Sequence, residues 1–133
     1  MKRMFLTLAA LLVAVPAFAL VPINQEKHIN DTLVQGLVAD TITDNCPTMK
    51  PRKFKGLTEL LKLRDYALSQ GYSRDEIKAF IESPAEKARG REIAASLLKK
   101  RGAVPGKTEA YCAIGVEEIA KGSLVGQLLR NTQ

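Results

Sequence analysis

One stretch near the C-terminus, residues 108–129, decides the fold: TEAYCAIGVEEIAKGSLVGQLL. Its pattern predicts one long helix, with Cys112 near the start. Gly115, Gly122 and Gly126 fall close to one line of that helix. Because an interior glycine costs about 1 kcal/mol relative to alanine, the stripe predicts tight contact with the first helix of the domain. A groove for a ligand or a partner helix is the alternative.

The first nineteen residues have the order of a secretory signal peptide. Lys2 and Arg3 precede a short apolar run, residues 4–15, and Ala17 and Ala19 are small residues at the two positions that a signal peptidase reads. We therefore expect export to the periplasm with cleavage after Ala19, so that 1–19 is removed. The run is too short for a stable anchor, and we expect no stable membrane insertion after cleavage. An uncleaved anchor or a buried first helix is the alternative.

The chain has only two cysteines, Cys46 and Cys112. In an oxidising compartment, two cysteines most simply form one disulfide. This bridge would close a loop of over sixty residues, for which chain entropy gives about 4 kcal/mol. The alternatives are a metal pair or a redox-active thiol. The spacing is not CxxC and His28 is the only histidine, so we expect neither a metal nor a cofactor.

Helical periodicity and caps predict an all-α fold over residues 20–133, a single small bundle of four to five helices stapled by one disulfide. Residues 20–29 are expected to be a loose N-terminal segment. The predicted helices are 30–44, 52–70, a short one between capping boxes that begin at Ser73 and Ser83, 84–100 and 108–129. The 3.6-residue pattern of the second helix predicts that its apolar side chains face the core, and its members are Leu57, Leu60, Leu61, Arg64, Ala67 and Leu68.

A basic cluster precedes the second helix: Lys50, Arg52, Lys53 and Lys55. It predicts either a phosphate- or acid-binding patch or a solvated loop, and the solvated loop is the plainer interpretation. The formal net charge of +6 is consistent with ordinary solubility. Residues 57–81 also fit a helix-turn-helix, but export argues against DNA binding and we expect no nucleic acid.

No catalytic constellation stands out in the sequence. His28 lies in the expected loose segment and is most simply an exposed bystander. Glu117 and Glu118 are adjacent, and neighbouring residues on a helix point apart, so the pair does not converge on one site. The pattern favours a protein that is not an enzyme.

Several motifs together resemble a known family. They are Asn45-Cys46, GYSRDEI at 71–77, SPAEKAR at 83–89, YCAIG at 111–115 and EIAKGS at 118–123. Their order resembles a family of small exported alphaproteobacterial proteins classed as a domain of unknown function. The resemblance implies export, helices and the two cysteines, and it carries no established activity. Tyr111, Glu118 and Ser123 lie in its most specific stretch and are the candidate functional surface.

The leading hypothesis is a non-enzymatic periplasmic binding or interaction module whose partner is an unknown protein or envelope component. One alternative is a chaperone-like protein of envelope stress. A second is a small cell-wall hydrolase, which would need Glu92, Glu117 or Glu118 brought together in a cleft.

Overall fold

Helices make up most of the chain, with a small two-stranded sheet. The computed structural model describes residues 19–133, so the predicted signal peptide, apart from Ala19, lies outside the described residues. After a 3-10 helix at Ile23–Gln25, the elements are α1 (Lys27–Asn45), β1 (Met49–Pro51), α2 (Lys53–Gln70), α3 (Arg74–Glu82), α4 (Pro84–Lys100), α5 (Thr108–Lys121), α6 (Leu124–Gln127) and β2 (Leu129–Asn131). The all-α prediction is confirmed. The one-turn α6 and the sheet are additions that the sequence pattern did not indicate.

α1 is the central helix, and α4, α5, α6 and β1 pack against it. Its buried side chains Val38, Ala39 and Ile42 lie on one face, at helical spacing. The exit of α1 is therefore enclosed on several sides, and the larger part of the core forms around it.

The expectation of a loose segment at 20–29 is wrong. Glu26 caps α1 by accepting a hydrogen bond from the Ile29 N–H at 2.6 Å, and Ile29 is only 2% exposed. The Tyr72 hydroxyl also donates to the Val21 carbonyl at 2.7 Å. Because a buried isoleucine and a long-range hydrogen bond hold this segment, it packs as part of the domain.

Serine side chains begin α3 and α4, as predicted. At α3 the capping box is complete: Ser73 Oγ accepts from the Glu76 N–H at 3.1 Å, and the Glu76 carboxylate accepts from the Ser73 N–H at 2.7 Å. At α4 only half of the box forms. Ser83 Oγ accepts from the Glu86 N–H at 3.3 Å. The Glu86 carboxylate instead accepts from the Arg89 guanidinium at 2.8 Å, because a charged donor competes well with a backbone N–H.

The prediction of one helix over 108–129 is wrong. α5 ends at Gly122, whose φ of +66° is a left-handed conformation that glycine adopts without steric cost. Ser123 then begins α6 by accepting a hydrogen bond from the Gly126 N–H at 3.1 Å. β2 follows α6 and pairs antiparallel with β1. Gly122 is thus the point at which the chain turns back.

The glycines of that stretch form no single seam against the first helix. A Cβ at Gly126 would lie 2.0 Å from the Glu118 carbonyl oxygen, and one at Gly115 would lie 2.9 Å from the methionine side chain of β1. The close approach to α1 comes from α4, where a Cβ at Gly90 would lie 2.6 Å from Leu37 Cδ1.

The predicted disulfide between Cys46 and Cys112 is present. It joins the residue after α1 to α5, across 66 positions of sequence, with Cα atoms 5.2 Å apart. Cys46 is completely buried within the larger core cluster. The bridge therefore holds the end of the central helix against α5.

The buried side chains form two clusters. The larger one joins the C-terminal half of α1 to α4, α5 and both strands. The smaller one joins the start of α1 to α2 and α3, through Ile29, Leu63, Ala67, Tyr72 and Ile77. Leu57, Leu60 and Leu61 are exposed and belong to neither cluster, contrary to the sequence prediction.

Candidate functional site

An open cleft of about 510 Å³ lies between α1, α2 and α4. Its walls are side chains at the margins of both core clusters, including Leu33 and Leu37 of α1, Phe80 of α3 and Leu128 after α6. Gly36 also lines it, and a Cβ there would meet no heavy atom within 4 Å. Small-molecule sites typically enclose about 300–1,000 Å³, so the cleft has the capacity of a ligand site.

The cleft is open because α2 packs only through its C-terminal half. The buried residues of α2, Leu63 and Ala67, both lie in that half. Nearer its N-terminus, Leu57 and Leu60 line the cleft and are 56% and 51% exposed. This half of α2 thus presents apolar surface to the cleft without covering it.

Four cations in the described part of the chain line the cleft beside the apolar walls. One of the four, Arg89, is paired with Glu86 at 2.7 Å. The other three are Arg52, Lys53 and Lys87. Within residues 19–133, no carboxylate oxygen lies within 4.0 Å of any of the three. Among the described residues, the Arg52 guanidinium donates only to the Gln127 carbonyl, at 3.2 Å. An anionic group in the cleft would therefore meet cations that no described carboxylate has neutralised.

Two of the carboxylates that line the cleft, those of Glu59 and Glu86, already have partners. Hydrogen bonds from these partners lower the pKa of both groups below the usual value. The partners are Lys55 and Lys62 for Glu59, and Asn24 and Arg89 for Glu86. Neither carboxylate is placed to act as a proton donor.

Asp40 is a third carboxylate of the cleft. Burial raises the pKa of its carboxyl, the neighbouring charge of Asp44 raises it further, and Arg91 opposes both effects. Asp44 does not line the cleft. One carboxyl with a raised pKa is not the facing pair that hydrolysis of a glycosidic bond uses.

The three residues singled out in the sequence lie mainly in the interior. Tyr111 is 3% exposed and belongs to the larger core cluster, whereas Glu118 is 8% exposed. Ser123 is half-buried and caps α6. The structure brings Glu118 and Ser123 together, since the Ser123 hydroxyl donates to the Glu118 carboxylate. Tyr111 lies two turns earlier on α5, and the role of all three residues in function stays a prediction.

Glu118 is the centre of an ion-pair network between α5 and Arg101, the residue that follows α4. Arg101 bonds Glu118 at 2.7 Å and Glu117 at 2.8 Å, and Lys121 bonds Glu117 at 2.5 Å. Burial alone would raise the pKa of Glu118, but hydrogen bonds from Ser123 and Arg101 outweigh it, and the pKa lies below its usual value. The carboxylate is held ionised, which suits a structural link better than acid catalysis.

The structure places His28 beside an aromatic side chain. It is exposed on the first turn of α1, and its ring meets Tyr66 edge-on with centroids 4.5 Å apart. Within residues 19–133, no group of three or more His, Cys, Asp or Glu residues is placed to hold a metal ion. In that same part of the chain, no helix has the length and apolar character needed to cross a membrane.

Comparison with known proteins identifies the family. The sequence profile of a family of unknown function, DUF5333, matches residues 21–130. The chain belongs to DUF5333. This confirms the resemblance to an uncharacterised family, while alphaproteobacterial origin and export stay predictions. Searches among curated proteins and among solved structures found no match.

The region matched to DUF5333 contains both the cleft and the contact between Glu118 and Ser123. The sequence motif named both residues of the contact, and the basic cluster named Arg52 and Lys53 at the edge of the cleft. Neither the contact nor the cleft itself was predicted. The available signal was the width of the apolar arc on α2. Phe54, Leu57 and Leu61 widen this apolar arc well beyond the side of α2 on which the buried Leu63 lies.

Proposed function

We propose that this DUF5333 protein is a non-enzymatic binding module of the periplasm, and that the cleft between α1, α2 and α4 holds its ligand. The observation that carries the proposal is an apolar cleft of about 510 Å³ that is lined by Arg52, Lys53 and Lys87, none of which has a carboxylate partner among the described residues. This combination suits a small amphiphile with one anionic group. Its apolar part would lie along Leu33 and Leu37, and its anionic group would meet Arg52, Lys53 or Lys87.

Two observations support the periplasm. The N-terminal order of positive charge, short apolar run and small residues fits a signal peptide. The disulfide between Cys46 and Cys112 is of a kind that persists in oxidising compartments. Mass spectrometry of the protein from expressing cells tests both: export predicts a chain that begins at Leu20 with its cysteines bonded.

The contacts of the acidic residues weigh against a cell-wall hydrolase. Glu117 and Glu118 are engaged with Arg101 and have lowered pKa values, whereas a general acid needs a raised one. Glu92 is exposed on α4 and does not line the cleft.

A chaperone-like role is the second candidate, and the exposed apolar side chains of α2 favour it. Such a protein would suppress the aggregation of unfolded clients through Phe54, Leu57 and Leu61. A client-aggregation assay separates the two roles, because filling the cleft should abolish ligand binding and leave chaperone action intact.

Filling the cleft tests the binding proposal. Gly36→Leu places a side chain where a Cβ meets no atom within 4 Å, so the variant should fold and occupy the ligand volume. The matched control is Ala95→Leu, since Ala95 is exposed on α4 away from the cleft. Dodecanoate is the probe and calorimetric titration the measurement.

We expect dodecanoate to bind the wild type and Ala95→Leu alike, and Gly36→Leu at least about tenfold more weakly. Dodecanol, which lacks the charge, should bind more weakly than dodecanoate to the wild type. If neither probe binds, or if Gly36→Leu binds dodecanoate as the wild type does, the cleft is not the site.

A further inference from the structure

The outward side of α2 presents apolar side chains to solvent. Phe54, Leu57 and Leu61 follow the i, i+3, i+7 spacing of one helix face. Phe54 is 90% exposed, Leu57 56% and Leu61 42%. Leu57 also lines the cleft, but Phe54 and Leu61 do not, so this surface, here named the α2 outer face, extends beyond the proposed ligand site.

The positive charge of the chain is concentrated around the same face. Residues 50–65 contain six Lys or Arg and two Asp or Glu, a net charge of +4. In the rest of residues 20–133, twelve Lys or Arg are balanced by twelve Asp or Glu. The net charge from residue 20 onward therefore comes entirely from residues 50–65, which cover the end of β1 and most of α2.

Three of those cations are available to an external anion. Lys50, Arg52 and Lys53 are exposed, and within residues 19–133 no carboxylate oxygen lies within 4.0 Å of them. Lys55, by contrast, is paired with Glu59 at 2.8 Å. The free cations come from the strand and the helix start that immediately precede Phe54.

We propose that the α2 outer face binds peripherally to the surface of an anionic lipid bilayer. Its cations would contact lipid phosphates while Phe54, Leu57 and Leu61 enter the interface between headgroups and acyl chains. An exposed apolar helix face beside clustered lysine and arginine is the composition that binds such interfaces. A nucleic acid would use the cations but leave the three apolar side chains unpaired. The proposal does not depend on the cleft holding a ligand.

Vesicle sedimentation tests the proposal with the full chain, purified with its disulfide intact and its N-terminus identified by mass spectrometry. The vesicles are pure phosphatidylcholine, or phosphatidylcholine with about 30% phosphatidylglycerol. The variant Phe54→Ser with Leu61→Ser removes apolar contacts without touching the cleft. Leu97→Ser with Val116→Ser is the matched control, because both side chains are exposed elsewhere, at 43% and 49%.

The charge is tested by a second matched pair. Lys50→Gln with Lys53→Gln removes two cations of the proposed contact. Lys99→Gln with Lys100→Gln removes two exposed cations at the end of α4, far along the chain from α2. All four variants keep the same N-terminus as the wild type, so any lipid binding by that segment cancels in the comparison.

We expect the wild type to bind the anionic vesicles and to release them in about 0.5 M salt. Each α2 variant should bind at least about tenfold more weakly, and each control variant should bind as the wild type does. Three results would overturn the proposal: no binding to anionic vesicles, equal binding to neutral ones, or α2 variants that match their controls. Capture of an acidic protein without any vesicle binding would assign the face to a protein partner instead.

Discussion

Replacing Gly126 by alanine should destabilise the fold more than the same change at Gly115 or Gly36. The added methyl group would lie 2.0 Å from the Glu118 carbonyl oxygen and 2.3 Å from its carbon. Both are backbone atoms of α5, so no side-chain rotation relieves the contact. Overpacking usually costs about 1–3 kcal/mol, and a backbone clash of this depth should cost about 3 kcal/mol or more.

Two other glycines supply the comparison. At Gly115 the new methyl would lie 2.9 Å from Met49 Cε, the flexible end of a side chain, and we expect a loss of about 1–2 kcal/mol. At Gly36 it would meet nothing within 4 Å. Because alanine is the better helix former, Gly36→Ala should gain up to about 1 kcal/mol.

Urea unfolding with the disulfide intact, followed by circular dichroism, measures all three changes. The order of midpoints should be Gly36→Ala at or above the wild type, then Gly115→Ala, then Gly126→Ala. A Gly126→Ala variant as stable as the wild type would refute the placement of α6 against α5. Equal losses at Gly126 and Gly36 would show that the clash with Glu118 is not the cause.

Three further predictions concern the disulfide and the carboxylates. Reducing the disulfide should lower the free energy of unfolding by about 4 kcal/mol, because the unfolded chain is then no longer closed into a loop between cysteines 66 positions apart. Urea titration with and without reductant measures this. Glu118→Gln should cost about 1–3 kcal/mol at neutral pH by taking a charged partner from Arg101. Glu117→Gln should cost clearly less, because that carboxylate is exposed to solvent. The folded-state pKa of Glu118 is lowered, so its contribution to the free energy of unfolding is complete above the usual pKa of 4.5 and is lost as pH falls through the folded-state pKa. The difference in stability between the wild type and Glu118→Gln should therefore shrink in acid. Asp40 has a raised folded-state pKa, so Asp40→Asn should stabilise the protein at neutral pH. The wild type should gain stability as pH falls through that pKa toward 3.8, and the variant should lack this gain.

Local signals in the sequence predicted the helices and the disulfide well. The start of α3 follows from Ser73 and Glu76, which satisfy each other's backbone donors within four residues. The cysteine pairing follows from there being only two cysteines. Both inferences depend on neighbours in sequence or on a count, and no tertiary contact is needed to make them.

The turn at Gly122 could not be predicted in this way. Gly115, Gly122 and Gly126 fit one helical line, yet Gly122 equally fits a left-handed helix end. The choice depends on β2 reaching β1, where the Thr132 N–H donates to the Thr48 carbonyl at 2.9 Å. That contact joins residues 84 positions apart in the sequence, which periodicity does not detect.

The cleft could not be predicted from the sequence for a related reason. A leucine pattern on α2 indicates which side is apolar, but not how near another helix comes to it. Leu63 and Ala67 are covered and Leu57 is not, although all three belong to one apolar arc. The burial of the α2 side chains depends on where the N-terminus of that helix lies, and contacts from other parts of the chain set this position.

The Glu118–Ser123 contact and the cleft are parts of one arrangement. Ser123, held by Glu118, caps α6 and brings the chain to Leu128, whose carbonyl accepts from the Arg52 N–H at 2.8 Å. The Arg52 side chain also bonds the Gln127 carbonyl at 3.2 Å. Because Arg52 immediately precedes α2, these bonds fix the position at which that helix begins. They thereby also position its exposed N-terminal half beside the cleft. Glu118 and Ser123, from the most specific motif of the sequence, therefore act indirectly. They hold the C-terminal turn, and that turn positions the residues proposed to bind the ligand.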